Sequence, residues 1–557
     1  MGLLYTYPSD VTIAAMEWKI LPRKSDDLIE QLLINRAVET EKQKKQFFDA
    51  KLEDFEKELN IKGIPGAKKR IKKSIKEGEL IIAYGDFDAD GICGAAVLYL
   101  GLTSLGAKVL PYIPHREKEG YGLSKAGLKF ARDSGAGLVI SVDCGIMNFE
   151  EALIAKQLGL ELIITDHHQP LNNKFPEAAQ IVHSTKMCGT AVAWSLIKNL
   201  TSKKVSDDLL DLVAMATIAD MIPLLNENRA LVRVGLKNLN QTKRVGLLAL
   251  FSEAGIIAGN LSSYEVGHII APRLNAMGRL EHAIDSLRLL CTKDPVNARK
   301  LAEHIGSTNL QRKELTIKAF EDAKLLINGS TPIKSGSKKK IHVLSSKDWI
   351  SGIVGLIAGR VCEETRVPAI AISVGLVHSK GSARSVSGIN IVESLRKCSD
   401  ILVAVGGHPG AAGFTIETAN IEIFRTRMEE LMDGNEANGD YKLEIEAEVP
   451  ANILTLDLAK ELEKFEPFGV GNRIPILATS NMKLSDLRTV GNSLPAGRQG
   501  KHLKGKADNI DFIAFNMGSS LNILENGQYA SFAYTLDVDR FQGSEKLQLK
   551  VKDIKTA

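Results

Sequence analysis

The sequence predicts a multidomain α/β protein that ends in a small β-barrel, and three observations support this fold class. From residue 79 onward, short apolar strands alternate with helical segments, as in a parallel sheet with helices on both faces. A second α/β alternation runs from about 341 to 435, and strand-like segments dominate after 440. A chain of 557 residues is also too long for one hydrophobic core, so several domains are expected.

Five regions follow from these patterns. They are a helical N-terminal region, a parallel-sheet domain, a helical connector, a second α/β domain and a β-barrel with one helix: residues 1–76, 77–225, 226–340, 341–435 and 440–557. The basic run KKRIKKSIK at 68–76 is interpreted as a solvated helix face that could also guide DNA electrostatically. A long helix is expected at 298–327, and the Gly, Ser and Lys content of 328–340 indicates a surface connection.

Composition excludes several classes of protein. The chain is 44% hydrophobic and 25% charged, as in soluble globular proteins, and it contains no apolar run long enough for a membrane span. Its start resembles no secretory signal, so a cytoplasmic protein is expected. The six cysteines form no CxxC pair, which argues against a zinc ribbon. A net charge of +4 is only mildly basic, so any polyanion site must come from local clustering.

Three aspartates follow the first apolar strand of the parallel-sheet domain. In GDFDADG, Asp86, Asp88 and Asp90 occupy alternate positions directly after the strand LIIAYG. Three carboxylates at the end of a strand repel one another unless a positive group lies among them. A metal cluster would supply that charge, whereas a helix-capping turn or a solvated turn is the structural alternative.

Later element ends supply further acidic and imidazole groups. The strand LVISVDCG ends in Asp143, LELIITDHH ends in Asp166, His167 and His168, and the helical DLVAMATIADMIPL carries Asp220. Each motif alone could be a strand end, a structural histidine pair or a buried cap. Because ligands gather beyond the carboxyl ends of parallel strands, the joint pattern favours a site for Mn²⁺ or Mg²⁺.

The ordered set of motifs resembles the DHH phosphoesterases and, within them, the RecJ-type single-strand-specific exonucleases. The resemblance extends from about 60 to 554. Besides GDFDADG and TDHH, the matching motifs are HREKEGYGLS (115–124), SVDCGI (141–146), CGTAVAW (188–194), ATIADMIPL (216–224), APRLNAMGRL (271–280), WISGIVGLIAGR (349–360), KGSARS (380–385), VGGHPGAAGF (405–414) and FEPFGVGN (465–472).

The resemblance implies a two-metal phosphodiesterase. By motif, Asp88 would bind one metal and Asp90 the other, Asp143 would bridge them, and His167 and Asp220 would complete the coordination.

Three further positions would act beside these ligands. Asp86 would be a ligand or a support for one, and Asp166 would orient a histidine. His168 would face the scissile phosphate as a charge stabiliser or proton donor. Many relatives carry His where this chain has Tyr84, so the first metal is expected to have one protein ligand fewer.

The second α/β domain resembles the DHHA1 domain, and the C-terminal region resembles the OB-type domain of RecJ. GGHPGAAG is expected to form a tight backbone loop near a phosphate, although a simple turn is the alternative. The substrate-binding candidates are Arg279, Arg384, Ser385, Gly406, Gly407 and His408. The barrel candidates, for which a solvated basic edge is an equal alternative, are Lys501, His502, Lys504 and Phe515. The insertion SLPAGRQG at 493–500 is assigned no role.

The resemblance therefore implies a monomeric, processive exonuclease that degrades single-stranded DNA from its 5′ end to mononucleotides, using two Mn²⁺ or Mg²⁺ ions. A single-strand-binding protein and a helicase are the candidate protein partners. One alternative is a DHH enzyme that acts on short RNA, cyclic dinucleotides or nucleotide phosphates, and the barrel disfavours it because a small substrate needs no long binding track. A non-catalytic replication scaffold is a second alternative, and the retained carboxylates disfavour it.

Overall fold

The computed structural model describes residues 16–329, 339–433, 442–491, 500–540 and 543–556. The described residues form two compact units, one within Ile13–Ser307 and Leu443–Ala557 and the other within Thr308–Lys442. Most of the predicted connection 328–340 and of the insertion 493–500 lies outside the described residues. Among the helices that are described, none combines the length and the apolar character that crossing a lipid bilayer requires.

The N-terminal region is mostly helical as expected, but it also contains a strand. Its elements are β1 (Glu17–Ile20), α1 (Leu28–Asn35), α2 (Glu41–Phe48), α3 (Glu56–Leu59) and α4 (Ile64–Glu77). The basic run lies on α4, where Lys69, Lys72 and Lys76 are exposed, as a solvated helix face requires. Arg70 differs from these lysines, because its Nη1 lies 2.8 Å from Glu79 Oε2.

The predicted parallel sheet follows. Its region comprises β2 (Leu80–Gly85), α5 (Ala89–Thr103), β3 (Lys108–Tyr112), α6 (Lys125–Asp133), β4 (Ala136–Val142), α7 (Phe149–Gln157), β5 (Glu161–Asp166), β6 (Gln180–His183), α8 (Gly189–Lys198), α9 (Lys203–Asp208) and α10 (Leu210–Ala219). The five strands run parallel in the order β3-β2-β4-β5-β6. The chain leaves β2 toward one edge and β4 toward the other, so the topological switch point, where such sheets bind ligands, lies between these two strands.

Within the described part of the connector, up to residue 329, the regular elements are all helices. They are α11 (Asn226–Asn240), α12 (Val245–Ala254), α13 (Ser263–Glu265), α14 (Ala271–Leu280), α15 (Ile284–Cys291) and α16 (Pro295–Gly329). The helix α16 confirms the long helix expected at 298–327. The helices α5, α8, α10 and α15 share one hydrophobic core with the sheet, which includes Trp194, Leu212 and Leu287. The connector helices α11, α12, α14 and α15 therefore belong to the same core of the first unit.

The second compact unit contains the second α/β domain. Its elements are β7 (His342–Ser346), α17 (Val354–Thr365), β8 (Ala369–Ser373), β9 (His378–Arg384), α18 (Ile391–Arg396), β10 (Leu402–His408), β11 (Ala411–Glu417) and α19 (Ile421–Asp433). The sheet order is β10-β11-β9-β8-β7, and only β7 and β8 pair in parallel. The expectation that GGHPGAAG forms a loop is wrong: it is a hairpin in which Gly406 and Gly407 pair with Gly413 and Ala412.

The C-terminal region forms the predicted barrel. Its elements are β12 (Lys442–Ile445), β13 (Ala447–Glu448), α20 (Leu456–Glu463), β14 (Leu477–Val490), β15 (His502–Ala507), β16 (Ile510–Ala514), β17 (Tyr529–Asp539) and β18 (Lys546–Thr556). The sheet runs β13-β14-β15-β16-β18-β17 and closes through pairing of β14 with β17. The strand β12 pairs with β1, so the N-terminal segment belongs to this end of the molecule. Phe512 and Phe532 pack inside the barrel with ring centroids 5.3 Å apart.

Candidate metal centre

The loop between β2 and α5 carries the first three aspartates. Asp88 precedes α5, and its Oδ1 accepts hydrogen bonds from the backbone N–H groups of Asp90 and Gly91 at 3.0 and 3.2 Å. The capping turn considered from the sequence is thus present. It uses one carboxylate oxygen of Asp88, so it does not compete with a metal role for the other oxygen. Asp86 and Asp90 are each only 2% exposed.

The first turn of α8 fixes the orientation of Asp90. The backbone N–H groups of Gly189 and Thr190 donate to Asp90 Oδ2 and Oδ1 at 2.7 and 2.8 Å, and the Thr190 hydroxyl donates to the Asp90 carbonyl at 2.7 Å. A Cβ atom at position 189 would lie 2.6 Å from the Cβ of Asp143, so only glycine fits between the two aspartates. The motif CGTAVAW therefore holds a carboxylate in place.

Asp143 follows β4 directly, at the switch point. Its backbone φ is 61°, a left-handed conformation, and its N–H donates to the Thr165 carbonyl of the neighbouring strand at 3.0 Å. The hydroxyl of Tyr121 donates to the Asp143 carbonyl at 3.0 Å. Asp143 is 3% exposed. These bonds aim a buried carboxylate toward the loop of β2.

Asp166 orients the two histidines that follow it. Its Oδ2 accepts the N–H of Ile146 at 2.9 Å, and its Oδ1 accepts the N–H of His167 at 2.7 Å. His168 Nδ1 lies 2.8 Å from the same Oδ1, so this ring nitrogen donates to the carboxylate. The expectation that Asp166 orients a histidine agrees with this geometry.

The predicted ligands converge on one place. His167 Nε2 lies 3.1 Å from Asp143 Oδ1, 3.6 Å from Asp220 Oδ2 and 3.9 Å from Asp90 Oδ2. Three overlapping groups of potential ligands each have their ligand atoms within 4.8 Å of one another: Asp86, Asp88 and Asp143; Asp90, His167 and Asp220; and Asp143, His167 and His168. The cluster thus divides into two adjacent oxygen-rich groups that Asp143 and His167 link.

Proton affinities reflect this crowding of acids. Burial and the charge of Asp88 raise the pKa of Asp86 well above its usual range, and burial with Asp90 does the same for Asp143. Burial and the nearby Asp90 and Asp88 raise the pKa of Asp220 to about 9. So many carboxylates cannot all ionise in one buried place unless cations join them.

The pKa values of the two histidines and of Asp166 shift for different reasons. Burial lowers the pKa of His167, which favours the neutral imidazole that binds metal. Burial also lowers the pKa of His168, but the hydrogen bond to Asp166 outweighs it and leaves that pKa raised. Burial raises the pKa of Asp166, yet the bonds from His168 and from backbone N–H groups hold it below its usual value. Asp166 and His168 therefore form an ion pair beside the cluster.

The cluster fits a pair of hard divalent cations. Asp86 Oδ1 is buried and has no hydrogen-bond partner among the described residues, so a cation is the group that would satisfy it. Its neighbours supply carboxylate oxygens and one imidazole nitrogen, which suit Mg²⁺ and, with the imidazole, Mn²⁺.

Three side chains beside the cluster were not singled out from the sequence, although each lies in a motif that was. The guanidinium of Arg116 lies 4.8 Å from the ring centre of Phe87 and acts electrostatically on Asp86 and Asp88. The hydroxyl of Tyr121 lies 3.1 Å from His168 Nε2.

The third is Asn275, whose Oδ1 accepts the N–H of Ala89 at 2.7 Å, so that α14 braces the metal loop. The substrate candidate Arg279 lies on the same helix, next to Gly278. A Cβ at position 278 would lie 2.2 Å from the Phe87 carbonyl oxygen, so the helix backbone packs closely against the metal loop.

Tyr84, by contrast, lies in the protein core. Its side chain is fully buried, and its hydroxyl donates to the Gly122 carbonyl at 3.1 Å and accepts the N–H of Ser124 at 3.2 Å. It therefore serves as a packing and hydrogen-bonding residue below the metal loop.

The remaining substrate candidates belong to the second compact unit. Arg384 and His408 both pair with Ala411, from opposite sides, so they occupy one row of the sheet. Ser385 donates its N–H to the Gly410 carbonyl at 3.0 Å and its hydroxyl to the Ile389 carbonyl at 2.8 Å. The structure thus brings Arg384 and His408 together at the tip of the hairpin.

The barrel candidates lie together as well. The rings of His502 and Phe515 are 5.2 Å apart, and Lys504 pairs with Arg488 of the neighbouring strand. His502 Nδ1 accepts the N–H of Asn516 at 2.9 Å, so this histidine has a structural role in the turn.

Comparison with known proteins identifies three domain families along the chain. The family models for the DHH family N-terminal domain, the DHHA1 domain and the RecJ OB domain match residues 80–217, 338–434 and 445–553.

Similar proteins extend these matches over nearly the whole chain. The single-stranded-DNA-specific exonuclease RecJ of Salmonella typhimurium is 30% identical over 89% of this chain and 90% of its own length. The exonuclease of the same name from Bacillus subtilis is 33% identical over 94% of this chain, which spans 67% of that relative. The crystal structure of RecJ in complex with Mn²⁺ from Thermus thermophilus superposes with a TM-score of 0.82 at 28% identity, covering 97% of this chain and 80% of the other.

Proposed function

Because the chain belongs to the RecJ family of single-stranded-DNA-specific exonucleases, we propose that it hydrolyses phosphodiester bonds of single-stranded DNA with two divalent cations, Mn²⁺ or Mg²⁺. The family matches confirm the resemblance that the sequence motifs indicated. We further propose that cleavage starts at the 5′ end and releases mononucleotides, that the enzyme works as a cytoplasmic monomer, and that a single-strand-binding protein or a helicase supplies its substrate.

One observation carries the proposal: two groups of potential metal ligands lie side by side, in contact through Asp143 and His167. Asp86, Asp88 and Asp143 form one group, and Asp90, His167 and Asp220 form the other. The 3.1 Å separation of His167 Nε2 from Asp143 Oδ1 makes the groups neighbours. We assign Asp143 as the bridging ligand because it belongs to the first group and contacts His167 of the second.

Two cations bound there would activate water and neutralise both the attacking and the leaving oxygen of an in-line displacement. Hydrogen bonds within the protein already hold the metal ligands in position. The α8 amides hold Asp90 in one orientation, and the bond from Asp143 N–H to Thr165 fixes the other acid. Rigid ligands avoid the energetic cost of reorganisation during the reaction.

His168 is assigned to the scissile phosphate. Its Nδ1 proton is held by Asp166 at 2.8 Å, so Nε2 is the atom that can hold a second proton. A raised pKa favours the doubly protonated ring, which can stabilise phosphate charge or give a proton to the leaving oxygen. Arg116 adds a second positive charge on the side of Asp86 and Asp88.

Substrate length distinguishes the family function from the small-substrate alternative. The second unit supplies Arg384 and His408 in one row for phosphate binding, and the barrel supplies Lys504 beside the His502–Phe515 pair for a single strand. A dinucleotide does not require a barrel.

Parallel digestion of 5′-labelled and 3′-labelled single-stranded DNA, with matched RNA, duplex and dinucleotide substrates, tests the proposal under varied Mn²⁺ and Mg²⁺. Early release of the 5′ label as a mononucleotide is expected from single-stranded DNA alone. Exclusive cleavage of dinucleotides would support the small-substrate alternative. Mn²⁺ binding without any hydrolysis would support the scaffold.

A further inference from the structure

A short turn segment, residues 221–225, connects the proposed metal ligand Asp220 to α11. At its start, the N–H groups of Met221 and Ile222 still bond back to α10. Leu224 instead donates its N–H to the Val470 carbonyl at 2.7 Å, across 246 positions of the chain. Its side chain is 2% exposed. The segment after Asp220 is therefore held partly by the C-terminal region.

That C-terminal partner is the loop at residues 465–472, FEPFGVGN, which we call the brace loop. Its Gly469 and Gly471 lie so close to the turn segment that a side chain at either position would have to displace a neighbouring residue. A Cβ at 469 would lie 2.7 Å from Leu224 Cδ1, and a Cβ at 471 would lie 3.1 Å from Leu225 Cγ. The Ser263 hydroxyl also donates to the Phe468 carbonyl. The brace loop thus contacts the turn segment through its backbone.

Arg229 on α11 holds the brace loop from inside. It is 2% exposed, and its guanidinium donates to the carbonyls of Phe465, Glu466 and Pro467 at 3.0, 2.9 and 3.3 Å. Its Nε donates to the Phe47 carbonyl at 2.7 Å. Among the described residues it pairs with no carboxylate. A buried cation that bonds to three successive carbonyls recognises the shape of one loop.

We propose that the brace loop, clamped by Arg229, positions Asp220, so that the metal centre is complete only when the C-terminal region is docked on residues 221–225 and α11. This inference rests on the proposed function, because it takes Asp220 as a metal ligand. Arg229 and the brace-loop glycines are positioning elements, since they act on the centre through residues 221–225.

Alanine at Gly471 tests the inference with a matched control at Gly527. Both glycines have positive φ, 78° and 91°, so alanine brings comparable backbone strain, but a Cβ at 527 meets nothing within 4 Å. Hydrogen exchange of the peptide 217–225 in EDTA, Mn²⁺ binding by electron paramagnetic resonance, and kcat and KM on single-stranded DNA would be measured for each variant.

Gly471→Ala is expected to speed exchange at Leu224 about tenfold. It should also weaken the binding of one Mn²⁺ about tenfold, with kcat lowered and KM unchanged, while Gly527→Ala matches the wild type. If Gly471→Ala does not fold, Ser263→Ala removes one hydrogen bond from the brace loop and should change the same readouts in the same direction.

Exchange and Mn²⁺ binding that equal those of the Gly527→Ala control overturn the inference. A raised KM with unchanged Mn²⁺ affinity also overturns it, because the loop would then serve substrate binding. If the wild type binds no Mn²⁺, the proposed function fails, and the inference, which takes Asp220 as a metal ligand, fails with it. The exchange in EDTA then still reports whether the brace loop holds residues 221–225.

Discussion

Asp143→Asn removes a carboxylate that belongs to one ligand group and contacts His167 of the other, while it keeps the size of the side chain. Asparagine also suits the left-handed φ of 61° at this position, whereas alanine would add about 1–2 kcal/mol of backbone strain. Loss of one preorganised charge-stabilising group typically costs about 2.7–4 kcal/mol of transition-state stabilisation, or about 10²–10³ in kcat. Because Asp143 contacts both groups, we expect a loss of about 10⁴–10⁶.

The same variant has a second expected signature in the metal-free protein. The raised pKa of Asp143 has burial and the neighbouring Asp90 as its main causes, so its ionised form destabilises the apo fold. Asparagine should therefore raise the melting temperature in EDTA at pH 8 and remove most of the rise that Mn²⁺ produces in the wild type.

The assay pairs release of nucleotides from labelled single-stranded DNA with thermal unfolding, with and without Mn²⁺. Asp486→Asn is the control, because Asp486 also has positive φ, 54°, but lies exposed on the barrel. It should leave kcat and the Mn²⁺ response unchanged. A kcat within tenfold of the wild type for Asp143→Asn, or an unchanged Mn²⁺ response, would refute the bridging assignment.

Three further predictions concern the surroundings of the centre. Burial and the nearby Asp90 raise the pKa of Asp220 from 3.8 to about 9. The contribution of Asp220 to the stability of the metal-free fold is therefore lost as pH rises from about 4 to about 9. Mn²⁺ should raise the melting temperature more at pH 8 than at pH 5.5, and an equal rise at both pH values contradicts this. Tyr121→Phe removes the hydroxyl beside His168 and should lower kcat about tenfold with little change in KM; an unchanged kcat would show that the hydroxyl is dispensable. Thr190→Val removes a buried hydrogen bond of 2.7 Å and should cost about 1–2 kcal/mol in urea denaturation, and a cost near zero would mean that the bond is not stabilising.

Local patterns predicted most of the fold. Apolar strands that alternate with helices required a covered parallel sheet, and strand-rich residues after 440 required a barrel. Local patterns did not predict the elements whose strand pairing involves residues far apart in the chain. The strand β1 lies in residues 1–76, which were expected to form a helical region, and no local pattern indicates it because its partner β12 lies more than 400 positions away. The glycine-rich GGHPGAAG was expected to be a loop near a phosphate, yet its first residues lie on β10 and its last on β11, which pairs with both β10 and β9.

The sequence alone determined which residue types meet at the centre. Acids and imidazoles at the ends of β2, β4 and β5 must share one edge, because parallel strands point the same way. Only the tertiary structure decided how they are held: Asp90 by amides about 100 positions away, Asp166 by Ile146 N–H, and the segment after Asp220 by the brace loop. Such contacts leave no periodic signal along the chain, because they depend on how separate elements pack against one another and not on the spacing within any one of them.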